Sequence, residues 1–375
     1  MPKSLLRRFT KKTLLFVTIG ICFVFLLSVL IPIVHPQKVW MFGFLGLTVP
    51  YVSIILFFIA VFWLIAKPVL SLIPLLSLLV GYKQLSVLAS FHFSKQTTEK
   101  ETHESLRIVS WNVANMYGLS RDPNVRKHNR LEIARSVLDQ KADIICLQEF
   151  NHSFTEGPFA DNISLFKEQY PFHYYAINFN KYNGYYTSGT ILFSKIPILD
   201  TGTISFKAQG NIQDKLLYAD IKFSSDTLRI YTTHLHSFSF TTEDYADLEK
   251  IKKHDSEAVE ASKNIFKKMQ MAFSNRAMQA DIVAASTHHS PYPYILCGDF
   301  NDVPNSYTYF KTKGHLQDAF LAAGYGIGKT YMRLAPFLRI DYVMADTSLV
   351  VDQFTLIDEK LSDHALLSTD IRWKK

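Results

Sequence analysis

Eight polar residues of this 375-residue chain sit where hydrophobic runs end, and they are of the types that bind cations and move protons. Asn112 closes one apolar run, Glu149 the next and His234 another. Asp299 and Asn301 follow a fourth run in the stretch GDFN, Asp341 lies in RIDY, and Asp363 and His364 precede the last run in SDH. Carboxylates and imidazoles transfer protons in catalysis, and carboxylate oxygens suit hard divalent cations. Strand ends and loops on a rigid scaffold are also where sites are usually built. Taken singly, each residue has an ordinary explanation: a solvated strand end for Glu149, a structural imidazole for His234, a turn or ion-pair residue for Asp341. Their joint order along the chain is what carries meaning.

These side chains need elements to hold them. Strands are predicted over 106–113, 143–148, 190–193, 216–223, 228–233, 294–297, 340–344 and 365–371, where short apolar runs are bounded by polar residues. Apolar residues at Leu131, Ala134, Val137 and Leu138 have helical spacing within 129–140, and the charged stretch 244–285 is mostly helix-forming. Many strands with helices between them predict an α/β domain over 106–375. A four-layer α-β-β-α sandwich, two sheets inside and helices outside, suits that pattern. Cys146 and Cys297 fall in core strands and Cys22 in an apolar run, so all three read as buried thiols. No CxxC or Cys/His cluster points to zinc, and no disulfide framework is indicated.

The first 93 residues have a different character. Residues 13–34 and 42–66 are free of charge, and each is longer than the roughly 20 residues a helix needs to cross a bilayer. A third run, 68–82, is shorter. A membrane anchor of two or three transmembrane helices is therefore expected over 1–93, followed by a polar linker over 94–105. Lys3, Arg7, Arg8, Lys11 and Lys12 precede the first run, and Lys38 alone lies between the first two, which places the N-terminus in the cytoplasm. The third run decides the side of the domain. It can extend past Lys83 through 85–91, which favours crossing and an extracytoplasmic domain at a cell inner membrane. The first 95 residues hold nine Lys or Arg and no acid, whereas the rest holds 31 basic and 33 acidic side chains. The net charge of +7 thus belongs to the anchor, and nothing in it favours a nucleic-acid partner.

The segments around Asn112, Glu149, His234, GDFN, Asp341 and SDH, in this order and spacing, resemble the motif series of the endonuclease/exonuclease/phosphatase superfamily. The resemblance covers about 106–373. It implies hydrolysis of a phosphoester with Mg²⁺ or Mn²⁺. By that resemblance Glu149 and Asp363 are metal ligands with Asn112 close by, Asp299 orients or deprotonates the attacking water, and Asn301 holds that water or a phosphate oxygen. His364 bonds a non-bridging phosphate oxygen with Asp341 fixing its tautomer. His234 is similar to a second histidine of the DNase-like and sphingomyelinase-like branches, where it assists the leaving group or binds phosphate; Asn112 also stands near the phosphate. One departure concerns His234: the segment 185–195, where DNase-like relatives place its acidic partner, holds no acid.

The resemblance leaves the substrate open among nucleic acid, a phospholipid headgroup and a small phosphoester. A catalytically silent membrane scaffold of the same fold is the alternative, and the full set of eight residues argues against it. A transporter is disfavoured because the spans hold no charge. Arg276 and Gln279 are expected to bridge helix and sheet. The aromatic cluster 172–186 stacks bases, meets lipid or simply packs. Asn115 either reaches the site or caps a turn.

Overall fold

The computed structural model describes residues 3–92, 100, 104–154, 161–206, 214–238, 240–253 and 257–374. It opens with α1 (Lys3–Leu27), α2 (Met41–Ala66), α3 (Pro68–Val80) and the short α4 (Tyr82–Leu85). Two of these, over Arg8–Leu30 and Met41–Ala66, are long and apolar enough to cross a membrane by length and composition. Lys67 is extended (φ −161°) because the residue before a proline is driven out of the helical region, and the chain reverses there into α3. The buried Trp63 indole donates to Thr18 Oγ1 at 2.9 Å, which ties the end of α2 to the second half of α1. At the other end Gly81 lies against Phe25, and Gln84 Nε2 donates to the Ser28 carbonyl at 3.0 Å. α3 therefore returns to the level at which α1 ends.

The chain then runs β1 (Ser90–Phe91), β2 (Leu106–Asn112), α5 (Pro123–Asp139), β3 (Ile144–His152), α6 (Ser164–Lys167), β4 (Phe172–Lys181), β5 (Tyr186–Ser194), β6 (Ile198–Ser205), β7 (Lys215–Phe223), β8 (Asp226–His234), α7 (Thr242–Lys252), α8 (Ala258–His288), β9 (Tyr294–Asp299), α9 (Tyr307–Lys313), β10 (Gln317–Asp318), α10 (Ala319–Ala323), β11 (Tyr325–Gly326), β12 (Asp341–Ala345), β13 (Leu349–Ile357) and β14 (Leu366–Trp373). Two six-stranded sheets form, in the orders β13-β14-β2-β3-β5-β4 and β10-β12-β9-β8-β7-β6. Among the described residues only β2/β3 and β8/β9 pair in parallel.

Alternation along the strands builds the layers. Ile108, Cys146 and Leu192 of one sheet meet Leu217, Ile230 and Cys297 of the other in the central core. Val109, Ile145 and Leu147 point the opposite way, onto Ile133 and Val137 of α5. Leu296 and Tyr231 likewise point away from the centre, onto Val283 of α8 and Tyr309 of α9. The mixed α/β architecture is thus helix, sheet, sheet, helix. Burial on both faces is why the strands read as continuous apolar runs.

Several boundaries differ from the sequence expectation for physical reasons. α5 starts six residues early because Asp122 caps it, accepting from Asn124 N, with Pro123 at the first turn. The helical stretch 244–285 is two helices, α7 and α8. The aromatic cluster forms edge strand β4 and its turn into β5. Strands β6 and β13 were not predicted; β6, with Asp200, Thr201, Gly202 and Thr203 at its centre, lacks an apolar run. Most of the expected linker, 94–99 and 101–103, lies outside the described residues, and β1 before it already pairs with β11.

The end of β2 opposite the site is pinned by a buried bidentate pair, Arg107 Nε and Nη2 donating to Asp370 at 2.6 and 2.7 Å. Arg107→Ala leaves the Asp370 charge buried and uncompensated, and should cost roughly 3–5 kcal/mol of stability. Denaturant melts of the two proteins check this.

Candidate active site

Strand register gathers the first group. β8 runs parallel to β9 with His234 opposite Asp299, and β12 runs antiparallel with Asp341 opposite Asp299. Three adjacent strands thus deliver His234, Asp299 and Asp341 side by side. In the other sheet Asn112 ends β2 opposite Gln148. The pairing of β3 with β5 slips between Leu147 and Phe150, and Glu149 takes φ 48° there. A non-glycine residue with positive φ is costly and tends to be kept at functional sites. Asn301 (φ 52°) and Asn115 (φ 60°) share that region.

The two sheets meet through Asn112. Its Nδ2 donates to Glu149 Oε1 at 3.2 Å and to Asp299 Oδ2 at 3.0 Å, and its Oδ1 accepts from Ala114 N. Asp299 Oδ1 accepts from Asn301 N at 2.8 Å. Both histidines approach the other oxygen of Asp299: His234 Nε2 lies 3.6 Å and His364 Nε2 3.7 Å from Oδ2. His364 Nδ1 is held by Asp341 at 2.9 and 3.1 Å, and the backbone of His364 is fixed by the Trp111 indole donating to its carbonyl at 2.8 Å. Asn301 Nδ2 donates to the Leu235 carbonyl and lies 3.1 Å from His234 Nε2. His234 Nε2 is also 3.6 Å from Glu149 Oε1.

The electrostatics follow from burial among carboxylates. Desolvation and the nearby Asp341 raise the pKa of Asp299, against the pull of His364, His234 and Asn112. Burial alone would discharge His364, but Asp341 and Asp299 outweigh it and push it up to about 10, so the ring is an imidazolium at neutral pH. His234 is raised too, since Asp299, Glu149 and Asp214 outweigh its desolvation.

Seven of the eight expected residues are linked by the contacts above. Asp363 lines the same cavity as Glu149, Asp299, Asn301 and His364, and its Oδ2 lies 3.2 Å from Arg333 Nε. Two residues belong here that sequence reasoning did not select. Asn115 Nδ2 donates to Glu149 Oε2 at 3.2 Å, and its Oδ1 accepts from Tyr186 at 2.8 Å. Asp214, just before β7, places Oδ1 3.9 Å from His234 Nδ1, on the side away from Asp299. It is an acid beside His234 that 185–195 does not supply, at ion-pair and not hydrogen-bonding distance. Arg276 and Gln279 tie α8 to the loop after β8 and not to the sheet itself: Arg276 Nη1 donates to the His236 carbonyl at 3.0 Å, and His236 N donates to Gln279 Oε1 at 2.7 Å.

A divalent metal site is available in this cluster. Ligand atoms of Asp299, Asp341 and His364 lie within 4.8 Å of one another. Glu149 offers a second position, with a side chain 35% exposed and facing the cavity.

Comparison with known proteins fits this geometry. The sequence profile of the Endonuclease/Exonuclease/phosphatase family matches residues 109–364, and that of a domain of unknown function matches residues 11–88. No curated protein matches the chain. Among solved structures, an endonuclease/exonuclease/phosphatase from Beutenbergia cavernae aligns with a TM-score of 0.51 at 17% identity, over 72% of each chain. A family protein from Leptotrichia buccalis aligns at 0.50 and 15% identity, over 72% of this chain and 100% of that one. The human Nocturnin catalytic domain with bound sulfate aligns at 0.50 and 19% identity, over 74% of this chain and 96% of that one. At these identities the likeness is one of fold.

Gly298 is where β8 and β9 come closest beside the site. It has φ 134°, and a Cβ there would stand 2.0 Å from the Thr233 carbonyl oxygen. Gly298→Ala should push the strands apart, lower the melting temperature and abolish activity together, with a backbone cost of roughly 1–3 kcal/mol. Calorimetry and turnover on the same sample check the coupling.

Proposed function

This chain belongs to the Endonuclease/Exonuclease/phosphatase family and is a metal-dependent phosphoesterase; from that premise we propose that it hydrolyses its ester at a membrane, with the eight site residues in the roles below. The observation that carries the assignment is Asn112 bridging Glu149 and Asp299 at 3.2 and 3.0 Å, with a histidine on either side of Asp299.

The donor set fits a hard cation, because carboxylate oxygens dominate it. Glu149 would hold Mg²⁺ or Mn²⁺, with Asn112 and Asp363 beside it. Asp341 and His364 already spend their facing atoms on each other, and this favours the Glu149 position over theirs. When bound, the cation offsets phosphate charge and stabilises the crowded transition state.

The chain's own groups do the rest. Asp299, desolvated and fixed by Asn112 and the Asn301 amide, orients the attacking water and accepts its proton. The Asn301 side chain holds that water or a phosphate oxygen. His364, charged through Asp341, donates from Nε2 to a non-bridging oxygen. His234, with Asp214 behind it, binds phosphate and donates to the leaving oxygen.

The membrane reading rests on the two long apolar helices over Arg8–Leu30 and Met41–Ala66 and on α3 returning to the level where α1 ends. α3 has 13 residues, a helical rise of about 20 Å, and α4 carries the chain on to Leu85 after the break at Gly81. We assign 1–93 as a three-span anchor, 94–105 as linker and 106–375 as catalytic domain. The basic N-terminus lies in the cytoplasm and the domain outside it, an arrangement suited to a bacterial inner membrane. Arg333 is the one Lys or Arg among the residues lining the catalytic cavity, which disfavours a nucleic-acid polyanion.

Glu149→Ala should abolish Mg²⁺- or Mn²⁺-dependent turnover of a chromogenic phosphodiester while leaving the melting curve intact. His364→Ala should lower kcat by roughly 10²–10⁴. Asp214→Asn should lower it less than His234→Ala does. Unchanged metal-dependent turnover in Glu149→Ala contradicts the metal assignment. Protease added outside spheroplasts should digest the domain; protection places it in the cytoplasm.

A further inference from the structure

The anchor does more than sit beside the domain. Phe44 of α2 stacks on Phe266 of α8 with centroids 4.6 Å apart, and Phe273 meets Phe44 edge-on at 5.0 Å. Gly46 is so close to the domain that a Cβ would lie 2.3 Å from the Asn305 carbonyl oxygen. Arg339, two residues before Asp341, donates to the Val87 carbonyl at 2.8 Å. The first turns of α2 are thus a wall of the domain.

That wall reaches the site. The catalytic cavity, of about 300 Å³, has Glu149, Asp299, Asn301, Asp363 and His364 in its lining. A second cavity of about 290 Å³ adjoins it and shares Leu47, Phe238, Phe240, Val303, Leu334 and Leu338 with it. Among the described residues no charged one lines the second cavity, which runs between Pro50 and Tyr51 of α2, Ile265 and Met269 of α8, and Phe337. Tyr51 and Phe337 close its far side with rings 5.3 Å apart. One turn further along α2 the apolar side chains Ile54, Phe57 and Phe58 are exposed, as on a lipid-facing surface. A phosphate-handling centre is therefore continuous with an uncharged groove that ends on a membrane-length helix.

The geometry points to a membrane phospholipid as the substrate, with its phosphorus at Asp299, His234 and His364 and one acyl chain lying in the groove along α2. This rests on the phosphoesterase reading of the site and on α2 lying in the bilayer. An amphiphile alone matches both ends: nucleic acid and soluble phosphoesters leave the apolar half wet, and a lone hydrocarbon has no use for the polar half. Water adds its oxygen to phosphorus, one P–O ester bond breaks, and the released alkoxide takes a proton to leave as an alcohol. The other product is the phosphorylated half. Held by its chain, the lipid need not leave the bilayer fully to react.

The test uses the full-length protein with Mn²⁺ and monomeric phospholipids of four- to seven-carbon acyl chains, beside a chain-less chromogenic phosphodiester. Each methylene entering the groove should raise kcat/KM roughly fourfold. Met269→Trp, which fills the groove away from the catalytic cavity, should flatten that dependence to under about twofold per methylene. A flat chain-length series from a parent enzyme that still cleaves the chain-less ester overturns the acyl groove and leaves the phosphoesterase standing. Failure to cleave any ester instead overturns the reading beneath it. A second arm then decides the groove without turnover: a phospholipid with a photoactivatable acyl chain should label α2 and 334–338 in the parent and lose that labelling in Met269→Trp. Absence of label in the parent overturns the proposal.

Discussion

Asp299 is a carboxylate 1% exposed at the end of a strand, and among the described residues no Lys or Arg forms an ion pair with it. A buried charge without compensation is prohibitively costly, so its surroundings must supply hydrogen bonds and positive charge. They do so from every side: the Asn112 amide from the facing sheet, the Asn301 backbone from the following turn, the His234 imidazole from the neighbouring strand β8, and the His364 imidazole from the loop before β14. Each helper is itself held. Asp341 bonds His364, Trp111 pins the His364 backbone, and Thr330 Oγ1 accepts from the amides of Ile340 and Asp341. The sandwich can be read outward from this one group.

Much of this was legible from residue order because the constraint acts on strand ends. A strand buried on both faces must be apolar until it reaches solvent or a site, so a polar residue at its end stands out. Asn112, Glu149, His234, Asp299 and His364 were all found this way. Asp214 was not, because it reaches His234 across the β7–β8 pairing and belongs to no apolar run of its own. Asn115 stayed undecided between site and turn for another reason: its usefulness depends on a left-handed backbone turn that brings its amide under Glu149. The edge strand β6 carries polar residues on both sides and has no periodicity to read.

The anchor shows the same limit at larger scale. Gly43 and Gly46 look like the small residues of any apolar helix, yet Gly43 makes room for Phe273 and Gly46 for the Asn305 backbone. Such close approach is why the domain can use α2 as a wall. Phe273 in turn packs under Arg276, whose fully buried guanidinium spans the His236 carbonyl and Asp302. The helix that touches the anchor is thus the helix that braces the loop after His234, and tethering and active-site order share side chains.

The central claim is that Glu149 holds the metal while Asp341 and His364 serve phosphate. Crystals grown with Mn²⁺ and measured at the manganese absorption edge test it most directly. The account predicts an anomalous peak about 2.1 Å from a Glu149 carboxylate oxygen, with the His364–Asp341 hydrogen bond intact. A peak bonded instead to Asp341 and His364 would contradict it.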